Sequence, residues 1–348
     1  MKVYKGFNKN LKCRDFQYEV GQEYIHKGEI EVCKSGFHAW KNPFGALSSY
    51  SPGKNSRYCE VEGSDKVDER ENKVAFEKIK IIREFNLFEL IREGINFYIS
   101  KVKFNKETEK IKDHFIASSK GNFSGIRTLG SYSSANILGE NSAAITEDIY
   151  SHASVVGKYS AASVEGSYSS SSVIGDYSGA STRYLWSSAN VIGEYSGAKS
   201  VESHSIATAI GNNSIASTHG YASSAVISGD FAVANAQNYY SSANAIGYES
   251  SANVEGACSI ASAVGYDSKA SACKNSLAVS INEHPRAKGE LGAYLILAEC
   301  IKDEESKYKQ NKINKVKCVK VDGKRIKADT WYTLKNGRII KANDKIMK

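Results

Sequence analysis

Residues Ser187–His204 read SSANVIGEYSGAKSVESH, and the same eighteen-residue sentence is rewritten through the middle of the chain. Its serines Ser187 and Ser196 lie on a nine-residue grid that runs without a slip from Ser124 to Ser268. Of seventeen grid positions sixteen are serine, Ala232 being the exception, and two residues further on fifteen are alanine, Ile126 and Ser171 being the exceptions. A unit this small cannot bury a core alone, so strict repetition predicts a stacked solenoid.

The period doubles to eighteen at the turns. Six residues after alternate grid serines stands a constant glycine, from Gly139 and Gly157 through Gly193 to Gly265. The residue before it is mostly aliphatic, as in Leu138, Val156, Ile174, Ile192 and Ile210. The intervening turns are mixed, as in Asp148, Tyr184 and Glu202. One lap therefore holds two strands and two unequal corners, and the glycine is expected to supply positive φ. Period two sends Ser187, Ala189 and Val191 to one side. That side faces inward, because the other carries Asn, Lys and Arg. Interior hydroxyls then need partners, which a serine ladder bonding to itself or to turn backbone supplies. The fold class read from this is mainly β: a parallel β-solenoid with eighteen residues and two strands per coil. About eight coils fit between residues 124 and 268.

The flanks lack the repeat and divide the chain into three units: an α+β N-terminal domain and cap at 1–120, the solenoid at 121–280, and a β-rich C-terminal cap at 281–348. In the first, Val3–Phe7, Phe16–Tyr24, Glu29–Cys33 and Tyr58–Val61 read as strands. Pro43–Tyr50, Asn86–Ile95 and Lys106–Ile116 read as helices, the last placed to seal the first coil. In the tail, Ala293–Cys300, Lys315–Val321 and Thr330–Leu334 read as strands, with turns at Asp322-Gly323 and Asn336-Gly337.

Charge is uneven: the three units carry net +5, −5 and +8, which sum to the chain's +8. Duplex DNA carries one charge per ~1.7 Å, so a DNA-mimicking rod ~38 Å long needs about 22 negative charges. A net of −5 falls far short. Lysines alternating with apolar residues, as in Lys315-Val316-Lys317-Cys318, suit a protected edge strand, and nucleic acid is not expected as a partner. The turns lack the regular aspartate of a calcium-binding roll. Thr128, Thr146, Thr182 and Thr218 share a column, but an inward one, which argues against an ice-binding face. Seven scattered cysteines give neither a disulfide framework nor a thiolate zinc site. No signal-peptide core or membrane-length apolar run occurs. The expectation is a soluble, cytoplasmic protein without metal or cofactor, acting on a protein partner.

Two sets of candidate residues stand out. Tyr132, Tyr150, Tyr168 and Trp186 precede the grid serine on one set of strands, and Tyr159, Tyr177 and Tyr195 on the other. They read either as ladders stiffening the rod or as a binding platform. In the N-terminal unit Lys5, His38, Glu60 and Glu62 are the polar groups of interest. A lone His beside aromatics suits a hydrogen-bonded core residue as well as a catalyst.

Several stretches carry a resemblance. Tyr4-Lys5-Gly6-Phe7, Phe16-Gln17-Tyr18-Glu19-Val20-Gly21 and Gly36-Phe37-His38-Ala39, with Val321-Asp322-Gly323-Lys324 and Ile326-Lys327-Ala328-Asp329-Thr330-Trp331-Tyr332 near the other end, look like an uncharacterised family of phages and prophages whose members can carry nonapeptide repeats between these ends. The resemblance implies a phage-type accessory protein, a rigid binding or structural scaffold. The N-terminal unit also resembles small ADP-ribosyltransferase-type folds. That likeness implies an enzyme in which Lys5, His38 and Glu60 or Glu62 take the basic, strand-borne and late-glutamate roles.

Overall fold

The serine-alanine stretch forms a two-sheet parallel β-solenoid in the computed structural model, which describes residues 1–52, 55–102, 104, 109–110, 113–303 and 311–342. Strand Ser188–Ile192 pairs in register with Ser170–Ile174 before it and Ile206–Ile210 after it, each partner eighteen residues away. The other strand of the lap, Gly197–Ser200, pairs the same way with Gly179–Thr182 and Ile215–Thr218. Ser187, Ala189 and Val191 are buried, and Ile192 beside them is exposed.

The grid serines join lap to lap. The Ser187 N–H donates to Ser205 Oγ at 3.2 Å, and Ser187 Oγ donates to the carbonyls of Gly166 (2.9 Å) and Leu185 (3.2 Å). The same pattern holds at Ser151, Ser160, Ser169, Ser178 and Ser196. Each hydroxyl thus accepts from the corner one lap earlier and donates to that corner and to its own, so burial leaves it satisfied. Ala232 offers no oxygen but still donates its N–H to Ser250 Oγ at 3.2 Å.

The constant glycines are required chiefly for a different reason from the expected one. A Cβ on Gly193 would stand 2.2 Å from the carbonyl oxygen of Gly175, one lap below, and the same clash recurs at Gly139 and Gly157. Five of the eight also take positive φ, between 125° and 157°, but Gly139, Gly157 and Gly193 do not. The tightly left-handed corner residue lies two positions on, at Tyr159, Tyr177 and Tyr195 (φ 57°, 55° and 54°) and, at the other corner, at Tyr150, Tyr168 and Trp186 (φ 55°, 54° and 59°).

The rod is longer than the visible repeat. Each sheet contains eleven parallel strands, the open-faced one running from Ile116–Lys120 to Tyr294–Lys302. The last laps shorten to seventeen residues, as Ala261 pairs with Ala278 and Ala278 with Leu295. At ~4.8 Å per strand the rod measures about 48 Å, and the expected boundaries at 120 and 280 both move outward.

The C-terminal end is closed as expected. Strand Asn311–Lys320 runs antiparallel to Tyr294–Lys302, and Tyr332–Lys335 antiparallel to Arg286–Gly289. Leu295, Leu297, Val321, Ile326, Tyr332 and Leu334 replace the alanines of the tube with bulky side chains. The outermost strand carries Lys312, Lys315, Lys317 and Lys320 along an exposed edge, which discourages further pairing. Asn336 and Gly337 (φ 49° and 71°) make the tight turn to Arg338–Lys341.

The N-terminal unit is a closed sheet of five strands. They are β1 (Lys2–Asn8), β4 (Glu23–Ile25), β5 (Phe37–Trp40), β6 (Ser56–Arg70) and β7 (Lys73–Phe85), with a small pair β2 (Lys12–Cys13) and β3 (Phe16–Gln17) beside them. β1 pairs with β5 and β6, β6 with β7, and β7 with β5, so the circuit closes around Val3, Phe7, Phe37, Val61, Phe76 and Ile79. α1 (Gly45–Ser49) matches the expected Pro43–Tyr50 helix. α2 (Leu87–Lys101) starts at the expected Asn86, in a capping box where Asn86 Oδ1 accepts the Glu89 N–H (2.8 Å) and the Glu89 carboxylate accepts the Asn86 N–H (3.0 Å).

Four departures from expectation mark this unit, the first at Phe16–Tyr24, where two short strands, Phe16–Gln17 and Glu23–Ile25, stand in place of one. Glu29–Cys33 is not a strand but a loop held by one bridge, Glu31 to Ser35. Residues 73–85 form a strand that charge-rich alternation concealed. The helix expected at Lys106–Ile116 lies partly outside the described residues; the described part holds a turn at 113–114 and strand at Glu109–Lys110 and Ile116–Lys120, not helix.

Two outcomes test this architecture. Ser169→Val removes the acceptor of the Ser151 N–H (2.9 Å) and overfills the slot. The loss of about 2–5 kcal/mol is expected as a lowered urea midpoint. Truncation after Ser280 strips the last parallel strand of each sheet and both antiparallel closures, and is expected to give aggregated protein in gel filtration; a soluble monomer would contradict the capping role.

Candidate functional sites

The N-terminal domain does not sit on the end of the rod, where the expected cap would be. It docks on the rod's side. α2 packs across the strands Ala161–Glu165, Gly179–Thr182, Gly197–Ser200 and Ile215–Thr218 of one sheet, hereafter the covered sheet. A helix turn advances 5.4 Å and a lap ~4.8 Å, so successive turns of α2 meet successive laps. Ile95 lies over Gly179 and Ile91 over Gly197; a Cβ on either glycine would meet them at 2.5 Å and 2.9 Å. Phe44 enters the same seam, passing so close to Gly94 that a Cβ there would meet its ring at 2.5 Å. The Lys199 ammonium stands 4.0 Å from the centre of the Phe88 ring, and burial there pulls its pKa down to about 8.

This docking divides the seven candidate aromatics. Tyr159, Tyr177 and Tyr195 stack at 5.4 and 5.0 Å and pack against the cluster of Phe44, Ile91, Ile95 and Tyr98. What they bind is this chain's own N-terminal domain. Tyr132, Tyr150, Tyr168 and Trp186 remain exposed at the opposite corner. Their rings are 4.9, 5.2 and 6.4 Å apart and nearly parallel, and His114 and His204 continue the stack at 4.9 and 4.3 Å. Ring faces within such a column are occupied by neighbouring rings, so it offers edges and hydroxyls rather than a flat platform for bases or sugars. The outward asparagines bond in two ways: Asn253 donates to Asn235 one lap earlier at 2.9 Å, whereas Asn136, Asn190 and Asn244 bond to the serine two residues back in their own strands.

The second sheet, the open sheet, was not singled out by sequence reading. Its outward positions from Ser134 to Val264 contain no Asp, Glu, Lys or Arg. One edge is an aliphatic ridge of Leu138, Val156, Ile174, Ile192, Ile210, Ile246 and Val264, each 36–55% exposed. The signal was present, since these residues precede the constant glycines, but period two alone does not say which outward columns another domain will cover.

In the N-terminal domain, Lys5 and His38 come together in a cleft of about 800 Å³ between β1, β5 and the β2–β3 pair. Lys5 Nζ donates to the His38 carbonyl at 2.6 Å and lies 5.6 Å from the ring centres of Phe7 and Tyr18. Burial pushes the Lys5 pKa below its ordinary value. The His38 ring accepts the Cys33 N–H at Nε2 (2.8 Å), tying down the loop before β5. Partial burial, then the nearby Lys5 and Lys73, hold its pKa down, so the imidazole is neutral. Glu60 and Glu62 are not in this cleft. Glu60 faces the other side of β6, pairing with Lys2 (3.2 Å) and Arg83 (3.0 Å), and Glu62 is exposed. The Lys–His–Glu arrangement implied by the ADP-ribosyltransferase likeness is therefore not assembled.

All seven cysteines are free, and the described residues contain no cluster of His, Cys, Asp or Glu able to hold a metal. Among them no helix is long and apolar enough to cross a membrane.

The comparisons fall where the geometry divides the chain. The architecture is that of a β-solenoid protein with a side-docked N-terminal domain. Residues 1–93 match the family model described as Domain of unknown function (DUF7666), a span covering the closed sheet and the first half of α2. No curated protein and no solved structure matches the chain.

Gly179→Leu places a branched side chain where Ile95 sits. It is expected to release the N-terminal domain while the rod keeps its far-ultraviolet strand signal, seen as rapid proteolysis after α2.

Proposed function

We propose that this chain is a rigid binding scaffold, an accessory protein of the phage or prophage type, working in the cytoplasm of the cell that makes it. Its rod holds the N-terminal domain on one flank and presents the open sheet to a protein partner. The observation that carries this reading is the asymmetry of the rod. The covered sheet is charged on its outward columns, at Arg127, Glu147, Glu165, Arg183 and Glu255, whereas the open sheet is uncharged over eight strands, about 34 Å at ~4.8 Å each. Depletion of charge beside exposed aliphatic and aromatic side chains marks the centre of a protein interface more than it marks ordinary surface. The motif resemblance at the chain's two ends supports the phage association.

Ile192→Lys puts one charge on the middle of the ridge at a side chain already half exposed, so the fold is retained. In pull-downs from lysogenic cells, at least one protein recovered with the unaltered chain is expected to be lost with this variant. Identical recoveries, or none with either chain, would overturn the reading.

A further inference from the structure

The cleft holding Lys5 has a composition that scaffold function does not explain. β1 alternates inward as Val3, Lys5, Phe7, and the lysine stands where the pattern calls for an apolar side chain. It is only 5% exposed. Its charged neighbours are Lys73 and Arg14, both repelling it. Among the described residues no carboxylate lies within ion-pair distance of Lys5, Arg14 or Lys73, although many of the domain's other cations are paired, Lys34 with Glu31 at 2.6 Å and Lys41 with Glu69 at 2.5 Å. The Cys13 side chain also lies beside Lys5. A buried ammonium with like charges around it is costly unless a counter-charge arrives. Three unpaired cations less the one lining carboxylate, Asp15, leave two positive charges in the cleft.

The walls add a second requirement. Phe16 and Tyr50 line the cleft. Phe16 stands on Tyr18 (4.7 Å), Tyr24 (5.3 Å) and Phe37 (5.6 Å), yet is 44% exposed. This is a supported ring with a free face beside a dianion-sized charge deficit. The cleft is large enough for a drug-sized ligand.

We propose that the cleft between β1, β5 and the β2–β3 pair binds a phosphate monoester carried on an aromatic group, a mononucleotide being the plainest member of that class. Lys5, Arg14 and Lys73 receive the phosphate, and the ring lies on Phe16. The site does not depend on the open sheet or on any partner there, so the two readings fail separately.

The probe is AMP, titrated calorimetrically into the full chain beside inorganic phosphate and adenosine. AMP is expected to saturate one site at sub-millimolar concentration, phosphate to bind at least tenfold more weakly, and adenosine not to bind. Arg14→Gln and Lys73→Gln alter residues at the cleft rim and are each expected to weaken AMP roughly tenfold, as loss of one charge-assisted contact does. Lys5→Met, checked for folding by its circular dichroism, is expected to abolish binding. Phe16→Ala is expected to weaken AMP and leave phosphate unchanged. Absence of AMP binding up to 5 mM, equal affinity for AMP and phosphate, or unaltered affinity in Arg14→Gln and Lys73→Gln would each overturn the proposal. Should Lys5→Met fail to fold, the two rim variants decide.

Discussion

The hydrogen bond from the backbone N–H of one grid serine to the hydroxyl of the serine eighteen residues on is the constraint from which the rest of the rod follows. It serves corners, where sheet pairing gives out and backbone groups would otherwise be buried without partners. A hydroxyl suits the place because it accepts and donates at once: Ser187 Oγ accepts from Ser169 (3.3 Å) while donating to Gly166 (2.9 Å). Neither valine nor alanine can do both. The small side chain also sets the interior, leaving room only for alanine and one branched residue per strand, and it draws neighbouring corners so close that the constant glycines touch carbonyl oxygen. Where the laps shorten and the tube begins to close, Ser276 keeps the role at a spacing of seventeen, accepting the Ser259 N–H at 3.1 Å and donating to the Gly256 carbonyl at 3.0 Å.

The same regularity explains where the N-terminal domain sits. Stacked laps present columns of identical positions, and a column of small residues is a groove. Gly179 and Gly197 deepen that groove where Ile95 and Ile91 enter it. The near match between helix pitch and lap spacing lets one straight helix engage four laps. The domain then shields Tyr159, Tyr177 and Tyr195, one of the two aromatic columns, and leaves the other in solvent.

Much of this was legible in the amino-acid order. Periodicity eighteen, inward serine and alanine, the helix start at Asn86, and the tail's strands and turns are local or repeating features, which a single sequence displays. What escaped depends on contacts between distant parts. α2 was readable as a helix, but nothing in Leu87–Lys101 says that its partner is a glycine column near residue 190. β7 was missed because Glu77, Lys78, Lys80, Arg83 and Glu84 alternate with apolar residues in a strand whose outer face is wet. The aromatic columns were found, yet stacking geometry, not residue type, decides that their faces are already occupied. Lys5 and His38 share one cleft, whereas Glu60 lies outside it, because strand parity places it behind the sheet, across from Tyr4 rather than Lys5.

Docking through only four laps has an evolutionary corollary. The last strand that α2 crosses is Ile215–Thr218, with Phe88 against His219 just beyond it, and further laps are joined mostly by the same corner bonds. Duplication or loss of an eighteen-residue block in that stretch changes the distance between α2 and the lysine-edged tip by one increment of ~4.8 Å. The molecule is in this sense a ruler whose graduations can be added or struck out while both its handle and its end stop stay as they are.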